Sequence, residues 1–298
     1  MHIGFDVGGT KTEIIVIDKH GETHFSKRIS TVHNYQSFID CIIELTSEAE
    51  QAVNGACTVG LGIPGVVNPK NGLVKNANST FLNGKPLQKD LSEKLQRTVQ
   101  IANDANCFAL SEAKDGAGAS GSVVFGVILG TGCGGGIIVD KKIITGLNAN
   151  AGEWGHNPLP CHSLEKDGDT PRCFCGRFHC LEQFISGTGF ARQYNNIAQT
   201  QLKAPEIMDL VKQGDKYAAR TYHLYIDQLA RALAGIINIL DPDTIVIGGG
   251  MSNINCIYED VIKVIPLYTI TPDIDINILK ARFGDSSGIR GAAWLGKN

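Results

Sequence analysis

The sequence lacks the cluster of positive charge that a nucleic-acid-binding surface requires. It contains 27 Lys and Arg residues against 30 Asp and Glu residues, which gives a formal net charge of −3 and a pI near 6.2. The basic residues are scattered along the chain and do not form a run. Because nucleic-acid binding depends on a basic patch, no polyanionic partner is expected.

Long hydrophobic segments are absent as well. Nowhere do about 20 apolar residues follow one another, which is the length that spans a bilayer. The N-terminal stretch MHIGFDVGGTKTEIIVID has no basic n-region, no long apolar h-region and no small-residue cleavage site, so it does not resemble a signal peptide. These absences predict a cytoplasmic protein without a membrane partner.

Cysteine is odd in number and, outside residues 173–180, sparse. Nine cysteines in 298 residues do not form the framework of a small secreted protein, and they indicate reduced thiols, some of which could bind metal. A chain with 43% hydrophobic residues can bury a large core. At roughly 100–200 residues per domain, the length predicts two domains.

Strands and helices alternate along the chain. Residues 2–6 and 13–18 are predicted strands joined by a glycine turn, and residues 123–145 repeat this order of strand, glycine turn and strand. The repetition predicts an internally duplicated α/β architecture with a boundary near 115–120. Further helices are predicted over 38–52, 88–96, 105–114, 217–240 and 287–296, and further strands over 58–65, 99–104 and 243–250.

Three glycine clusters, at 8–9, 130–136 and 248–250, are candidate phosphate sites. Their backbone N–H groups have no Cβ in the way, although tight turns alone would also explain them. The stretch GTGCGG matches a dinucleotide fingerprint, and Gly4 to Lys11 resembles a Walker A loop, but both motifs require a helix to follow. A strand is predicted after each of these two stretches, so neither motif applies. The remaining hypothesis is a phosphate site formed by the turn of a β-hairpin, which the chain would use twice. Asp6 is available there to reach a metal ion through water.

The segment CFCGRFHC, residues 173–180, concentrates three cysteines and a histidine. Thiolates at positions i, i+2 and i+7 on a short loop, completed by one nitrogen ligand, fit a structural Cys₃His zinc site. Buried free thiols are the alternative, and the spacing favours zinc. The spacing does not choose the fourth ligand among His156, Cys161, His162 and His179.

The segment NDAN, residues 103–106, offers a carboxylate for acid–base chemistry. Phosphorylation of a hydroxyl requires its proton to leave as the phosphoryl group arrives, so a carboxylate within hydrogen-bond reach is needed. Asp104 is the candidate base. Asp104 also precedes a predicted helix, so from the local sequence it is equally well interpreted as the N-cap of that helix. The roles of base and N-cap are compatible.

Six motifs together resemble the ROK family of sugar kinases, which also includes repressors. The motifs occur in the family's order and span the whole chain: DVGGTKT (6–12), NDAN (103–106), LGTGCGGGIIV (129–139), GEWGH (152–156), CFCGRFHCLE (173–182) and IVIGGG (245–250). Within the family, the stretches NANSTFLNG, GEWGHNPLP, SGTGF and GDSSGIRGAAWL look most like the bacterial fructokinase (manno(fructo)kinase) branch.

The resemblance implies an actin-like ATPase/hexokinase fold, an α/β fold of two domains with ATP and sugar in the cleft between them. The expected N-terminal domain covers 1–118, joined by the terminal helix 286–298, and carries the sugar and phosphate side. The expected C-terminal domain covers 119–285 and carries the zinc loop and the adenosine side.

The resemblance also implies roles for individual residues. Asp104 would be the general base, and sugar hydroxyls would be bound by Asn103, Glu153, His156, Glu182 and Asn78. Phosphates would be approached by Gly8, Gly9, Thr10, Lys11, Thr131 and Gly132, adenosine by Gly248, Gly249 and Gly250, and Mg²⁺ by Asp6. Without the family pattern, each of these residues has a simpler interpretation. Glu153 would be a solvated charge on a loop, and Lys11 an exposed charge on a hairpin. Glu182 would be a charge in the first turn of a helix, and Asn78 would form an Asx turn.

Family members complete the zinc site with the histidine of GE-x-GH, here His156, which implies the ligand set His156, Cys173, Cys175 and Cys180. The family pattern C-x-C-G-x-x-G-C-x-E has glycine where this chain has His179. Zinc would have no catalytic duty and would pin the loop that carries Glu153 and Glu182.

The expected reaction is ATP-dependent phosphorylation of fructose at its 6-hydroxyl, with mannose as a second substrate, by a homodimer. N-acetylglucosamine kinase and glucokinase are the alternatives among enzymes. A sugar-binding regulator without catalysis is the alternative outside enzymes. A ROK repressor would carry a helix-turn-helix segment before the glycine hairpin, and the first predicted strand starts at residue 2, so a repressor is not expected.

Overall fold

The structure, a computed structural model, describes residues 1–296 and divides into two compact units. The first unit contains Met1–Ser120, Gly136–Gly152 and the C-terminal segment that begins at Arg282. The second unit contains Gly121–Gly135 and Glu153–Ala281. Among the helices of the described residues, none combines the length and the apolar character needed to cross a bilayer.

Strands and helices alternate as the sequence predicts. The first half contains β1 (His2–Val7), β2 (Lys11–Ile17), β3 (Thr23–Ser30), α1 (Tyr35–Ala52), β4 (Thr58–Ile63), β5 (Val66–Val67), β6 (Val74–Lys75), α2 (Leu87–Leu95), β7 (Val99–Asn103) and α3 (Asp104–Lys114). The second half contains β8 (Val123–Leu129), β9 (Cys133–Val139), β10 (Lys142–Ile143), α4 (Leu164–Asp167), α5 (Glu182–Ile185), α6 (Gly187–Ala198), α7 (Ala204–Lys212), α8 (Lys216–Leu240), β11 (Thr244–Gly248), α9 (Cys256–Val264), β12 (Asn277–Lys280) and α10 (Ser287–Leu295).

The first unit is built on a sheet with strand order β3-β2-β1-β4-β7. The strands β1, β2 and β3 are antiparallel neighbours, whereas β4 is parallel to both β1 and β7. Helix α10 packs closely on this sheet because β1 and β4 present glycines to it. A Cβ atom at Gly4 would collide with the carbonyl of Ile289, and one at Gly60 with the carbonyl of Ala292.

A second sheet has strand order β10-β9-β8-β11-β12. Its strands β8, β11 and β12 are parallel, and β9 and β10 are antiparallel. Strand β9 begins at Cys133, within the stretch GTGCGG, and a strand in place of a helix confirms that this stretch is not a dinucleotide fingerprint. Helix α8 begins after Asp215, whose carboxylate accepts a hydrogen bond from Ala218 N at 2.7 Å.

The two units assign residues 119–120, 136–152 and 282–285 to the first unit, whereas the expected C-terminal domain included them. Residues 136–152 were expected in the C-terminal domain, but they group with the first unit. Gly136 explains this because its missing side chain lets β9 approach α3, where a Cβ would lie 2.7 Å from Ala109 Cβ. The expected terminal helix 286–298 corresponds to α10, and its positions 297 and 298 lie outside the described residues.

Candidate functional site

The predicted site residues divide between the two units. The first unit holds Asp6, Gly8, Gly9, Thr10, Lys11, Asn78, Asn103 and Asp104. The second unit holds Thr131, Gly132, Glu153, His156, Cys173, Cys175, Cys180, Glu182, Gly248, Gly249 and Gly250.

The turn between β1 and β2 exposes backbone N–H groups. Gly8 N donates to Lys11 O at 2.9 Å and closes the turn, while a Cβ at Gly9 would meet no atom within 4 Å. Thr31 braces the turn from the end of β3, because its hydroxyl donates to Gly8 O at 2.9 Å and its backbone N–H donates to Thr10 O at 3.0 Å. No motif in the sequence indicates a role for Thr31, since these contacts form only when β3 pairs with β2.

Asp6 lies on β1 beside this turn and is half-buried. Burial raises the pKa of its carboxyl to about 6, and the negative charges of Asp104 and Glu13 act in the same direction. The start of α10 lies nearby, where a Cβ at Gly288 would be 3.8 Å from Asp6 Oδ2. A hard carboxylate oxygen among other negative charges fits Mg²⁺, which prefers oxygen ligands and keeps several of its waters.

Asp104 is the first residue of α3 and is exposed. The interpretation of Asp104 as the N-cap is wrong by one residue, because Asn103 is the N-cap and its Oδ1 accepts from Ala105 N at 2.9 Å. The Asp104 carboxylate accepts from the same N–H at 2.8 Å. The positive end of the α3 dipole favours the charged form of this carboxylate.

Asn78 lies exposed in the loop that precedes α2. Its backbone N–H donates to Pro64 O at 3.0 Å. Asn83 holds the loop together, because its side chain accepts from Ala77 N and donates to Ala77 O, both at 2.9 Å. The Asn83 side chain thus crosses the loop to Ala77, and the Asx turn considered for Asn78 stays a prediction.

In the second unit, the turn between β8 and β9 is tied to α5 and α6. Gly130 N donates to Gly132 O at 3.0 Å, and Gly130 O accepts from Gly187 N at 2.8 Å. Glu182 is the first residue of α5, as expected if it is a charge in the first turn of a helix. Its Oε2 accepts a hydrogen bond from Cys133 N at 3.1 Å. The Glu182 carboxylate therefore fixes the turn from one side.

A cavity of about 1110 Å³ opens beside this turn within the second unit. Gly130, Thr131 and Gly250 line it, together with side chains of α7 and of the segments around it such as Leu202, Met208 and Ile254. Position 249 requires glycine for a structural reason as well, since its φ is +76° and a Cβ there would collide with Leu129 O. An apolar cavity that adjoins a glycine turn suits a nucleoside with attached phosphates.

The motif GEWGH forms a short turn held by Trp154. This side chain is buried, donates from Nε1 to Gly134 O at 2.9 Å and packs edge-on against Phe125. Glu153 precedes the turn and is exposed, whereas His156 ends it and is half-buried.

The structure brings His156, Cys173, Cys175 and Cys180 together, with their ligand atoms all within 4.8 Å of one another. His156 Nδ1 lies 3.6 Å from Cys173 Sγ, and the Sγ atoms of Cys175 and Cys180 are 3.5 Å apart. Burial is the largest influence on the pKa of the Cys175 thiol and raises it. Hydrogen bonds from Arg177 and the neighbouring thiols outweigh burial and lower this pKa to about 6. Three sulfurs and one imidazole nitrogen at this spacing fit tetrahedral zinc.

The other candidates for the fourth ligand lie outside this cluster. Cys161 is exposed, and His162 Nε2 is 3.0 Å from Gly168 O. His179 stacks on His162 with ring centroids 4.0 Å apart, and its Nε2 is 3.1 Å from Asp169 Oδ1. The φ of His179 is +59°, which explains the glycine that the family pattern has at this position.

The family model described as "ROK family" matches residues 2–298. The chain belongs to the ROK family. It is 43% identical to the N-acetyl-D-glucosamine kinase of Salmonella gallinarum (strain 287/91 / NCTC 13346) over 299 residues, which cover 99% of both proteins.

Solved structures of the family have the same fold. The ROK hexokinase from Thermus thermophilus superposes with a TM-score of 0.86 at 26% identity, over 99% of this chain and 97% of that one. A ROK family glucokinase from Streptomyces griseus, in complex with glucose and AMPPNP, has a TM-score of 0.76 at 26% identity, over 99% of both chains. The expected actin-like ATPase/hexokinase fold with two α/β domains is thereby confirmed.

Proposed function

We propose that this protein is an ATP-dependent sugar kinase that transfers the γ-phosphoryl group of ATP to the 6-hydroxyl of a hexose. The observation that carries the proposal is the identity of 43%, over 99% of both chains, to a protein named as an N-acetyl-D-glucosamine kinase. The Asp104 carboxylate at the start of α3 supplies the base that such a reaction needs.

In this proposal Asp104 accepts the proton of the hydroxyl as the phosphoryl group arrives. Gly8 N and Gly130 N close the two turns, so the backbone N–H groups proposed to bind phosphate oxygens are those of Gly9 and Thr10 and of Thr131 and Gly132, and the apolar cavity beside α7 receives the nucleoside. Mg²⁺, held near Asp6, would neutralise phosphate charge. The proposed partners of the sugar hydroxyls are Asn78, Asn103, Glu153, His156 and Glu182.

Among sugars, we propose N-acetyl-D-glucosamine as the substrate, because the relatives at 43–44% identity carry that name. Fructose, with mannose, is the second candidate, since the loop NANSTFLNG at residues 76–84 resembles the fructokinase branch. Glucose is the third. The fructose expectation gains no support from these relatives.

A coupled assay of ADP release, with the four sugars tested separately, separates these candidates. We expect kcat/KM for N-acetylglucosamine to exceed that for fructose by about tenfold or more, because a pocket built for one set of polar groups rejects a sugar that leaves them unpaired. A higher kcat/KM for fructose would restore the fructokinase assignment. Absence of sugar-dependent ADP release would favour a sugar-binding regulator without catalysis.

We also propose that His156, Cys173, Cys175 and Cys180 hold one structural Zn²⁺. The proximity of the four ligand atoms supports this set. The ion would fix the loops that carry Glu153 and Glu182. A homodimer and a cytoplasmic location stay predictions, and light scattering of the purified protein tests the first.

A further inference from the structure

Three charged side chains form a row across the antiparallel part of the first sheet. Asp6 on β1 lies directly opposite Glu13 on β2, and Glu13 lies directly opposite Arg28 on β3. Residues that face each other in antiparallel strands point to the same side of the sheet, with Cβ atoms about 5 Å apart. Glu13 therefore stands between a carboxylate and a guanidinium.

Glu13 is held in this row by Arg28. Arg28 Nε lies 2.6 Å from Glu13 Oε1, and the Glu13 side chain is 32% exposed whereas that of Arg28 is 60% exposed. Arg28 approaches from the strand on the far side of Glu13 from Asp6. The contact fixes the Glu13 side chain while leaving its negative charge beside Asp6.

The pairing of Asp6 with Glu13 is unfavourable by itself. The two carboxylates are direct cross-strand partners, and like charges directly opposite each other destabilise a sheet. On its other side Asp6 faces Gly62 of β4, which has no side chain to offer a compensating charge. A local arrangement that costs stability is characteristic of a functional site, and a cation is what would relieve it.

We propose that Glu13 is a positioning residue for the divalent cation that accompanies the nucleotide. Its carboxylate, clamped by Arg28, adds negative charge on the face that carries Asp6 and strengthens cation binding without touching the reacting atoms. Mg²⁺ is commonly bound through one or two carboxylates and retained waters, so a second carboxylate one strand away can act through such a water. This inference rests on the proposed use of a metal–nucleotide complex.

The test is Mn²⁺ binding to the full-length protein in the presence of ADP, measured by electron paramagnetic resonance of free Mn²⁺. Glu13→Gln keeps the shape of the side chain and removes its charge, and we expect Mn²⁺ affinity to fall by about 3- to 10-fold. Glu13→Asp should recover part of the loss. In the kinase assay, the half-saturating Mg²⁺ concentration should rise by a similar factor, while kcat at saturating Mg²⁺ falls by less.

Glu48→Gln is the matched control, because Glu48 on α1 pairs with Lys27 of β3 at 2.7 Å. It removes the same charge from an ion pair that joins a helix to the same sheet, and Mn²⁺ affinity should not change. Unchanged Mn²⁺ affinity in Glu13→Gln, an equal loss in Glu48→Gln, or no Mn²⁺ binding by the unmodified protein would each overturn the proposal. If no sugar is phosphorylated, the proposed function fails, and the Mn²⁺ measurement still decides the role of Glu13.

Discussion

His156 Nδ1 lies 3.6 Å from Cys173 Sγ, although 17 positions separate the two residues in the chain. Backbone hydrogen bonds between the segments around them create this proximity. Leu159 N donates to His179 O at 2.9 Å, and Leu181 N donates to Asn157 O at 2.8 Å. The motifs GEWGH and CFCGRFHCLE are therefore two parts of one cluster.

The first prediction concerns the base. Asp104→Asn keeps the size of the side chain and removes the proton acceptor, so kcat should fall by roughly 10²–10⁴. Steady-state kinetics with the preferred sugar measure this loss, and circular dichroism checks that the fold is intact.

Asp40→Asn is a suitable control because Asp40 is exposed on α1. This variant should retain normal kcat. Activity of Asp104→Asn within threefold of the unmodified enzyme would remove Asp104 from the mechanism.

The second prediction concerns the dependence of stability on pH. The pKa of Asp6 is raised from 3.8 to about 6, first by burial and then by Asp104 and Glu13, so the folded state binds this proton more tightly than the unfolded state. The ionised carboxylate therefore costs stability above about pH 6, and the cost fades as the pH falls towards 4.

Asp6→Asn should abolish this cost. Because Asp6 is only half-buried, we expect the variant to be more stable by about 1–2 kcal/mol at pH 7.5 and equally stable near pH 4. Urea unfolding in magnesium-free buffer at several pH values measures the difference. A difference that does not vary with pH would contradict the assigned cause.

Local patterns made part of this site predictable. Helix 217–240 and the hairpin around Gly8 were predicted because periodicity and glycine turns act within a few residues, and α8 and the β1–β2 pair confirm them. The contribution of Met208 to the cavity was not predictable, since it depends on which face α7 turns inward after folding. The N-cap was misplaced by one residue because both Asn103 and Asp104 are good caps.

The third prediction concerns Glu112, which the sequence did not single out. This carboxylate on α3 is fully buried and accepts hydrogen bonds from Ala117 N at 2.9 Å, Arg282 N at 3.0 Å, Phe283 N at 3.3 Å and Ser287 Oγ at 2.7 Å. Glu112→Gln turns one acceptor into a donor that faces other donors. We expect a loss of about 2–4 kcal/mol in the free energy of unfolding.

Urea unfolding at pH 7.5 measures this loss. The matched control is Glu93→Gln, which changes an exposed glutamate of α2 that lies 3.8 Å from Lys89 and should alter stability by less than about 0.5 kcal/mol. A similar small effect in Glu112→Gln would mean that the buried hydrogen bonds contribute little.

The fourth prediction concerns the metal. The purified protein should contain about one zinc per chain, and Cys175→Ser should lose both the metal and thermal stability, because the free energy of zinc binding contributes to folding. Cys161→Ser is the control, since Cys161 is exposed and outside the cluster. It should keep its zinc. Elemental analysis that finds no zinc in the active enzyme would refute the site.

The last prediction distinguishes the two histidines. His156→Ala should lose zinc, whereas His179→Gly should keep it, because His179 pairs with Asp169 and stacks on His162 outside the ligand cluster. At a φ of +59°, glycine also relieves backbone strain of about 1 kcal/mol, which offsets the lost contacts with Asp169 and His162. We therefore expect the stability of His179→Gly to lie within about 1 kcal/mol of the unmodified protein. Zinc content and urea unfolding of both variants check these outcomes, and loss of zinc from His179→Gly would exchange the roles assigned to the two residues.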